Sequence, residues 1–509
     1  MEPLVDLAPF KLFSSSNDWR VLWPEISLGL WALALLVLDL FLPERRRACI
    51  GRLAIAGQVL LFGFLLANFK GGQSSHELLF AGMIEQSTLT ELMRLYFLAA
   101  AILISYLGQV YLDKQQLPRM EFFHVVMVLS ASMMLLVQSS HFVMLFVALE
   151  TVTVGFYILV SYCRTSDYSL EGGLKYLILG GTSSAILLFG IVLLYGAAGS
   201  PGMAAASQDS MHFAELEAFI AAHPDSHLVR IGVLLVVCGL LFKVGAVPFQ
   251  IWIPDVYQGA PTPVTAFLAV ASKAAGLVVL MQLLNGPFQP LAEGMLIPLL
   301  SAVAAVTILF GNITALTQRN LKRMMGLSGI AHAGYLLLGL IACLKGVEWA
   351  QWVVVFYLFT YLLGSVAVFG VMAQVAGEDD ENQDLAHYQN LADAQPFLSG
   401  VLAIGLGSLA GIPPLAGFIG KLLLFVAAFQ VQLYFLLATA ILGVVISIYY
   451  YFGWLREAYF KKLGTANDDG ASVSAPIRLQ NLRLGVAHRV ALGAVASLTI
   501  LLGVYQGFL

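Results

Sequence analysis

Long apolar segments, separated by short polar ones, run along nearly the whole chain. Many are about twenty residues long, the length an α-helix needs to cross roughly 30 Å of hydrocarbon. This length rule predicts about fourteen membrane spans, near residues 21–42, 50–69, 92–112, 121–138, 141–162, 172–197, 228–256, 262–284, 295–317, 321–343, 348–376, 396–430, 434–460 and 489–508. The pattern is typical of an all-α, polytopic membrane protein.

The composition points to the same environment. Charged residues make up 11% of the 509 residues and hydrophobic residues 59%, whereas ordinary soluble domains are about 25% charged. The lipid bilayer is therefore the expected surrounding. A formal net charge of −4 is close to neutral for this length and argues against nucleic acid as a partner.

Basic residues in the predicted loops give an orientation. The loops after the first, third, fifth, ninth and thirteenth spans carry clusters of Lys and Arg, and such loops stay on the cytoplasmic side. An even span number then places both termini on the outer side of the membrane. One cytoplasmic segment, 378–384, is acidic instead. We interpret it as a solvated connector or, alternatively, as a docking surface for a partner.

Two predicted spans contain prolines near their middles. The seventh has Pro248 and Pro254, and the twelfth has Pro413 and Pro414. Proline removes a backbone hydrogen bond, and free backbone at membrane depth persists only where protein or trapped water satisfies it. The interruptions are five spans apart, which predicts two five-helix repeats of inverted orientation with a transport path at each. Ordinary proline kinks are the alternative.

These features divide the chain into four parts. We expect an N-terminal three-helix segment over 1–120, a first inverted repeat over 121–285 and a second over 295–460, each repeat forming one half-channel. A cytoplasmic loop and a last transmembrane helix follow over 461–509.

Four ionisable residues lie well inside the predicted spans: Glu150, Lys243, Lys273 and Lys421. A charge at the bilayer centre costs roughly 2.5–3.5 kcal/mol and usually marks a functional site. Removing an ammonium group from water weakens its hold on the proton, so such a lysine can exchange protons near neutral pH. We expect these residues to face the protein interior and to move protons, with Glu150 and Lys243 as a switchable pair.

Other polar residues are weaker candidates. His332 lies in the middle of a span and could relay protons, although a hydrogen-bonded packing role fits equally well. Lys175, near the start of a span, can extend to the lipid head groups. Trp252 and Tyr257 fit an aromatic belt at the membrane interface.

Motifs for cofactors are missing from the sequence. No two of the four cysteines have metal-ligand spacing, so no metal or iron–sulfur site is expected. Gly420 and Lys421 do not fit a phosphate loop, and the glycines at 405–411 miss the dinucleotide pattern. We expect no cofactor in this chain, so any redox chemistry belongs to another chain.

The sequence resembles the antiporter-like, proton-conducting membrane subunits of respiratory complex I, the bacterial NADH–quinone oxidoreductase, and among them the subunit N family. The resemblance covers nearly all predicted spans. Its motifs are ALE at 148–150, LKYLILGGTSS at 174–184, FKVGAVPFQIWIPDVYQGAPTPVTAFLAVASKAAG at 242–276, NLKR at 320–323, IAHAGY at 330–335 and GIPPLAGFIGK at 411–421.

The resemblance implies a proton channel made of two inverted half-channels. Glu150 and Lys243 would be the coupling pair, Lys273 a central relay and Lys421 the exit-side residue. Lys273 separates this chain from related subunits, which usually have histidine there. Gln250 stands where many relatives have histidine, so a proton step at that point would need water.

The resemblance also implies partners. These would be other complex I membrane subunits, with flavin and iron–sulfur clusters in further subunits of the assembly. Three alternatives remain open: a subunit of a cation/proton antiporter or membrane-bound hydrogenase complex, a stand-alone solute transporter, and a scaffold subunit that does not pump.

Overall fold

The computed structural model describes residues 17–43, 48–69, 77–115, 117–199, 209–377, 380–460 and 484–505. The first half of the chain forms α1 (Trp23–Phe41), α2 (Ala48–Asn68), α3 (Thr88–Gln115), α4 (Met120–Val137), α5 (Phe142–Val160), α6 (Asp167–Ala198), α7 (Phe213–Ala222), α8 (His227–Val244) and α9 (Ile253–Gly259). Strands β1 (Glu77–Leu79) and β2 (Ile84–Gln86) pair antiparallel between α2 and α3, with Glu77 opposite Gln86.

The second half contains the remaining nine described helices. They are α10 (Thr262–Asn285), α11 (Ile297–Ala315), α12 (Leu321–Leu344), α13 (Ala350–Val375), α14 (Leu391–Ala394), α15 (Pro396–Ala410), α16 (Ala416–Gln430), α17 (Tyr434–Tyr459) and α18 (Val486–Val504). Residues 268–272 of α10 form a π-helical turn just before Lys273. The predicted loop at 461–483 lies outside the described residues.

Thirteen of the described helices are long and apolar enough to cross a membrane. The two shorter apolar helices α15 and α16 occupy the twelfth predicted span. The prediction of an all-α, polytopic membrane protein is therefore confirmed. The division into inverted repeats stays a prediction.

Both proline-containing spans are broken, and a glycine stands at each break. Gly245 follows α8 with a φ of +79°, and Gly411 follows α15 with a φ of +83°. Glycine adopts this left-handed conformation without the steric cost that a Cβ brings. The two helices therefore end four and three residues before their first prolines, and the chain crosses each break in irregular conformation before α9 or α16 begins.

Three helices form the centre of the bundle. The most apolar stretches of α10, α12 and α13 are almost entirely buried inside the protein, whereas α1, α2 and α18 are mostly exposed at its periphery. Lys273 lies on α10 and His332 on α12. Two of the predicted site residues thus lie on the helices with the least access to lipid.

The N-terminal helices are attached to this bundle by a buried ion pair. Arg94 of α3 contacts Glu25 of α1 with both Nε (2.7 Å) and Nη2 (2.8 Å). Gln138, at the end of α4, donates to the same carboxylate at 2.8 Å. This hydrogen-bonded group links α1, α3 and α4 where apolar packing alone would give little specificity.

One residue of the acidic segment after α13, Asp380, is not solvated as the charges of the segment suggest. Asp380 is 2% exposed, its carboxylate lies 3.0 Å from Nζ of Lys322, and it accepts from the amide of Thr262 at 3.0 Å. The prediction is wrong for Asp380 because Lys322 and the first turn of α10 supply the partners that water would otherwise provide. Residues 378–379 lie outside the described residues.

Candidate functional site

Lys243 lies in the last turn of α8, directly before the break. Its side chain is buried, and Nζ donates to the hydroxyl of Thr153 on α5 at 2.5 Å. That hydroxyl donates in turn to the carbonyl of Leu149 at 2.7 Å. The lysine is therefore held against α5, one turn from Glu150.

Glu150 accepts a hydrogen bond from Ser184 of α6, with 2.5 Å between the oxygens. It also lines a surface groove of about 620 Å³ together with His124 and Thr151. Among the described residues, no ion pair of 4 Å or less joins Glu150 to Lys243, because the carboxylate bonds to Ser184 and the ammonium group bonds to Thr153. The predicted pair is thus not joined by an ion pair in this conformation, and its role as a pair stays a prediction.

The segment after the first break turns into the protein. The indole of Trp252 donates to the carbonyl of Phe242 at 3.3 Å and stacks on Tyr176. Trp252 and Tyr257 are only 3% and 1% exposed. The aromatic-belt prediction is wrong for both, because α9 packs between α6 and α12 instead of facing lipid.

A network of ion pairs joins α9 to the neighbouring helices. Asp255 contacts Nζ of Lys175 at 2.6 Å and Nη1 of Arg323 at 2.7 Å, and Lys175 also contacts Glu171 at 2.6 Å. Lys175 therefore binds two carboxylates, and its extension to the lipid head groups stays a prediction. The network joins α6, α9 and α12 at the predicted cytoplasmic end.

Lys273 lies at the centre of the bundle with 3% of its surface exposed. Its Nζ donates to the carbonyl of Gly329 on α12 at 2.5 Å and lies 5.5 Å from the ring centroid of Tyr361. A Cβ at position 329 would stand 2.9 Å from that Nζ, so glycine permits the close approach. One turn further along α10, Gly276 packs against the side chain of Lys243.

His332 has a hydroxyl partner at each ring nitrogen. Nδ1 lies 2.7 Å from the hydroxyl of Tyr357, and Nε2 lies 3.3 Å from that of Tyr451. The Tyr451 hydroxyl also bonds to Ser328. A neutral imidazole donates from one nitrogen and accepts at the other, so this environment suits a relay.

Lys421 lies in the second turn of α16, just after the second break. Its Nζ donates to the carbonyls of Leu409 and Ala410 at 2.7 and 3.1 Å, and it lies 5.2 Å from the ring centroid of Tyr335. The ammonium group thus caps the end of α15 while facing the tyrosines around His332.

The five predicted residues fall into two groups. Lys273, His332 and Lys421 belong to one buried polar cluster. The ring of Tyr361 lies beside both Nζ of Lys273 and the imidazole, and the ring of Tyr335 lies beside both Nζ of Lys421 and the imidazole. Glu150 and Lys243 form the second group. The side chain of Lys243 contacts Gly276 on α10, the helix that carries Lys273. The structure therefore brings Lys273, His332 and Lys421 together, whereas Glu150 lies at a surface groove, and the joint role of the five residues stays a prediction.

Several members of this region were missed at the level of sequence. The missed residues are hydroxyl-bearing side chains that contact the charged ones: Thr153, Ser184, Ser328, Tyr335, Tyr357, Tyr361 and Tyr451. Helical spacing could have found two of them, since Thr153 and Tyr335 each lie three residues after a predicted site residue.

Metal ligands are not clustered in the part of the chain that the structure describes. Among those residues no group of three or more His, Cys, Asp or Glu side chains could hold a metal ion. The described site consists of amines, one imidazole, hydroxyls and one carboxylate, all of which can carry protons.

Comparison with known proteins identifies the family. The family described as "NADH:quinone oxidoreductase/Mrp antiporter, TM" matches residues 139–447. NADH-quinone oxidoreductase subunit N 1 of Opitutus terrae is 54% identical over 503 residues, covering 99% of this chain and 98% of that protein. Subunit N of Desulforamulus reducens is 35% identical over 494 residues and 96% of each chain.

A solved structure gives the same picture. A chain of respiratory complex I from Thermus thermophilus with bound aureothin superposes with a TM-score of 0.75 and 27% identity, covering 95% of this chain and 97% of that one. The chain therefore belongs to the NADH:quinone oxidoreductase/Mrp antiporter transmembrane family, and within it to the subunit N family of NADH-quinone oxidoreductases.

Proposed function

We propose that this chain is a proton-translocating membrane subunit of an NADH-quinone oxidoreductase. It assembles with other antiporter-like and small membrane subunits in a bacterial inner membrane, with both termini outside. Electron transfer from NADH to quinone takes place in other subunits and drives proton movement here. The chain contributes to an enzyme without holding a redox site of its own.

The observation that carries this proposal is a buried series of polar side chains that runs from Lys273 through His332 to the tyrosines that face Lys421. Placing a charged lysine at the bilayer centre costs roughly 2.5–3.5 kcal/mol of free energy. The protein nevertheless keeps three such lysines near one another in its interior. Structural ion pairing does not account for them, because their ammonium groups donate to neutral oxygens of Thr153, Gly329 and Leu409. Because these partners are neutral, each amine can release its proton and no carboxylate loses its counter-ion.

The residues take distinct roles in this proposal. Lys243, with Glu150 nearby, loads a proton in the first half-channel. Lys273 passes it along the centre of the bundle. His332 and its hydroxyl partners carry it towards Lys421, which releases it through the second half-channel at the break before α16.

A cation/proton antiporter or hydrogenase subunit is the second candidate, since the matching family description also covers Mrp antiporters. Purification through a tag on this chain separates the two. We expect flavin-bearing and iron–sulfur-bearing partners and NADH:quinone activity in the same preparation. An assembly without those partners, showing Na⁺-dependent proton exchange, would favour the antiporter.

The path is tested by Lys421→Met in the assembled complex, reconstituted in vesicles. We expect redox-driven proton uptake per NADH to fall, because the last amine before release is gone. Lys345→Met is the matched control, since Lys345 is exposed at the end of α12. Equal proton uptake in both variants would contradict the proposed path.

A further inference from the structure

A π-helical turn over residues 268–272 lies directly before Lys273 in α10. Such a turn holds one residue more than an α-helical turn, because its hydrogen bonds join residues five apart instead of four. Turns of this kind are rare, and they are frequent at functional sites. The direction in which the side chain of Lys273 leaves α10 therefore depends on whether this turn is kept.

Tyr96 of α3 bonds to the backbone of this turn. Its hydroxyl donates to the carbonyl of Val270 at 3.1 Å. The same carbonyl accepts from the backbone amide of Lys273. One oxygen atom thus joins the tyrosine to the backbone of the lysine, so the turn cannot unwind without disturbing the hydrogen bond from Tyr96.

The ring of Tyr96 is held as firmly as its hydroxyl. Tyr96 is completely buried, and its ring lies edge-on to Phe97 and to Phe359 of α13, with ring centroids 5.4 and 5.0 Å away. A buried hydroxyl without a partner costs free energy, which favours the bond to Val270. Tyr96 therefore fills the corner where α3 and α13 pack against the π-helical turn.

The opposite face of α3 is anchored to another helix. Arg94 lies two residues before Tyr96, which is about 200° around an α-helix, so the two side chains leave α3 on opposite sides. Arg94 is paired with the buried carboxylate of Glu25 on α1 at 2.7 Å. The predicted N-terminal three-helix segment thus reaches, through α3, the helix that carries the central lysine.

The contacts of Lys273 and its helix require the present rotation of α10. Nζ of Lys273 donates to the carbonyl of Gly329 on α12 at 2.5 Å, and Gly276 packs against the side chain of Lys243. Removing the extra residue of the π-helical turn would rotate the following part of α10 by about 100° and move it by about 1.5 Å. Neither contact would survive that change.

We infer that Tyr96 is a positioning residue that keeps the π-helical turn of α10 in place and so holds Lys273 against α12. The inference rests on the proposed function, because it concerns the lysine that passes protons along the centre of the bundle. It gives a part in that function to the N-terminal segment, which holds no residue of the proposed path. Without the hydroxyl of Tyr96, the turn should be kept only part of the time.

The test is Tyr96→Phe in the assembled complex in vesicles, a change that keeps the ring and removes only the hydroxyl. Tyr106→Phe is the matched control, because Tyr106 lies on the same helix and its hydroxyl bonds to Nδ1 of His488 on α18 at 2.6 Å. Protons taken up are counted per NADH oxidised, so a lower yield of complex does not change the ratio. Lys273→Met gives the ratio without the central lysine.

We expect proton transfer through Lys273 to slow roughly two- to tenfold in Tyr96→Phe, the rate equivalent of one net hydrogen bond. At an equal rate of NADH oxidation, the ratio should therefore lose about half or more of what Lys273→Met removes. Tyr106→Phe should keep the parent ratio. Tyr96→4-aminophenylalanine, which restores a donor on the same ring, should recover most of the loss.

The double variant of Tyr96→Phe and Lys273→Met separates positioning from general damage to the complex. Its ratio should equal that of Lys273→Met alone, because Tyr96 acts through the lysine. A lower ratio in the double variant would overturn the inference. A Tyr96→Phe ratio equal to that of Tyr106→Phe would overturn it as well, and so would a loss that 4-aminophenylalanine does not reverse.

The proposed function is judged by a different variant in the same vesicles. If Lys421→Met lowers the ratio while Tyr96→Phe does not, the inference about Tyr96 is wrong and the proposed function stands. If Lys421→Met keeps the parent ratio, the proposed function itself fails.

Discussion

Lys421 caps the helix that precedes it in the chain: its ammonium group donates to the carbonyls of Leu409 and Ala410, at the end of α15. Carbonyls at the C-terminal end of a helix carry partial negative charge that favours a nearby cation. Lys243 is held differently, by the hydroxyl of Thr153 on another helix. The lysines beside the two breaks are therefore not equivalent. Deprotonation at Lys421 loosens a helix end, whereas deprotonation at Lys243 loosens a contact between helices.

This relationship predicts a stability effect at Lys421. Lys421→Met leaves two buried carbonyls without that donor, and an unsatisfied buried group costs about 1–3 kcal/mol. We expect a lower thermal midpoint for the assembled complex, measured in detergent, while Lys421→Arg keeps the cap and most of the stability. The exposed Lys345→Met variant should match the parent. An unchanged midpoint in Lys421→Met would mean that the cap contributes nothing.

Thr153 is expected to hold Lys243 against α5, one helical turn from Glu150. Thr153→Val removes the acceptor from Lys243, and an unmade hydrogen bond to a charged group costs about 1.5–3 kcal/mol, which corresponds to roughly tenfold or more in rate. We expect NADH-driven proton uptake to slow by about that factor. Thr151→Val is the matched control, because its hydroxyl bonds only to its own helix and its side chain faces outward. Equal rates in the two variants would exclude Thr153 from the coupling.

The buried pair of Lys322 and Asp380 should be structural. Removing one partner of a buried ion pair costs about 3–5 kcal/mol, so Lys322→Met alone and Asp380→Asn alone should each lower the thermal stability or yield of the complex sharply. The double variant should recover part of the loss, because no single charge is left buried. Arg319→Gln, at an exposed neighbouring position, is the control. A single variant that loses little thermal stability and little yield would contradict the structural role of this pair.

The Asp255 network is half exposed and should contribute modestly. For Asp255→Asn and Arg323→Gln we expect a coupling energy of about 0.5–1 kcal/mol in a double-mutant cycle on complex stability, as for screened pairs. The pair of Arg230 and Asp225, in which Asp225 is 93% exposed, should couple less. If the coupling energy between Asp255 and Arg323 is no larger than that of the control pair, the Asp255 network does not hold α9 in place.

Much of the fold could be predicted because it depends on local sequence. Apolar length locates the spans, and the prolines and glycines at 245–254 and 411–414 locate the breaks. Glycine ends each helix before the proline is reached, a detail that requires backbone geometry. Charge inside a span was enough to find Lys243, Lys273 and Lys421.

Partners across the bundle could not be predicted in the same way. Ser184 becomes a site residue only because α5 and α6 meet, and nothing local marks it. Asp380 looks solvated within its acidic run, yet its partner Lys322 lies 58 residues away. Trp252 and Tyr257 look interfacial by type, and only the inward course of α9 buries them.

The central claim is that protons cross the membrane through the lysine path of this chain. The most direct test is NADH-driven proton uptake per electron in vesicles that carry the complex with both Lys243→Met and Lys421→Met, after its assembly and cofactor content have been verified. The account predicts a clear fall in protons taken up per NADH oxidised relative to the Lys345→Met control. Proton uptake per NADH equal to that of the control, with both lysines gone, would contradict it.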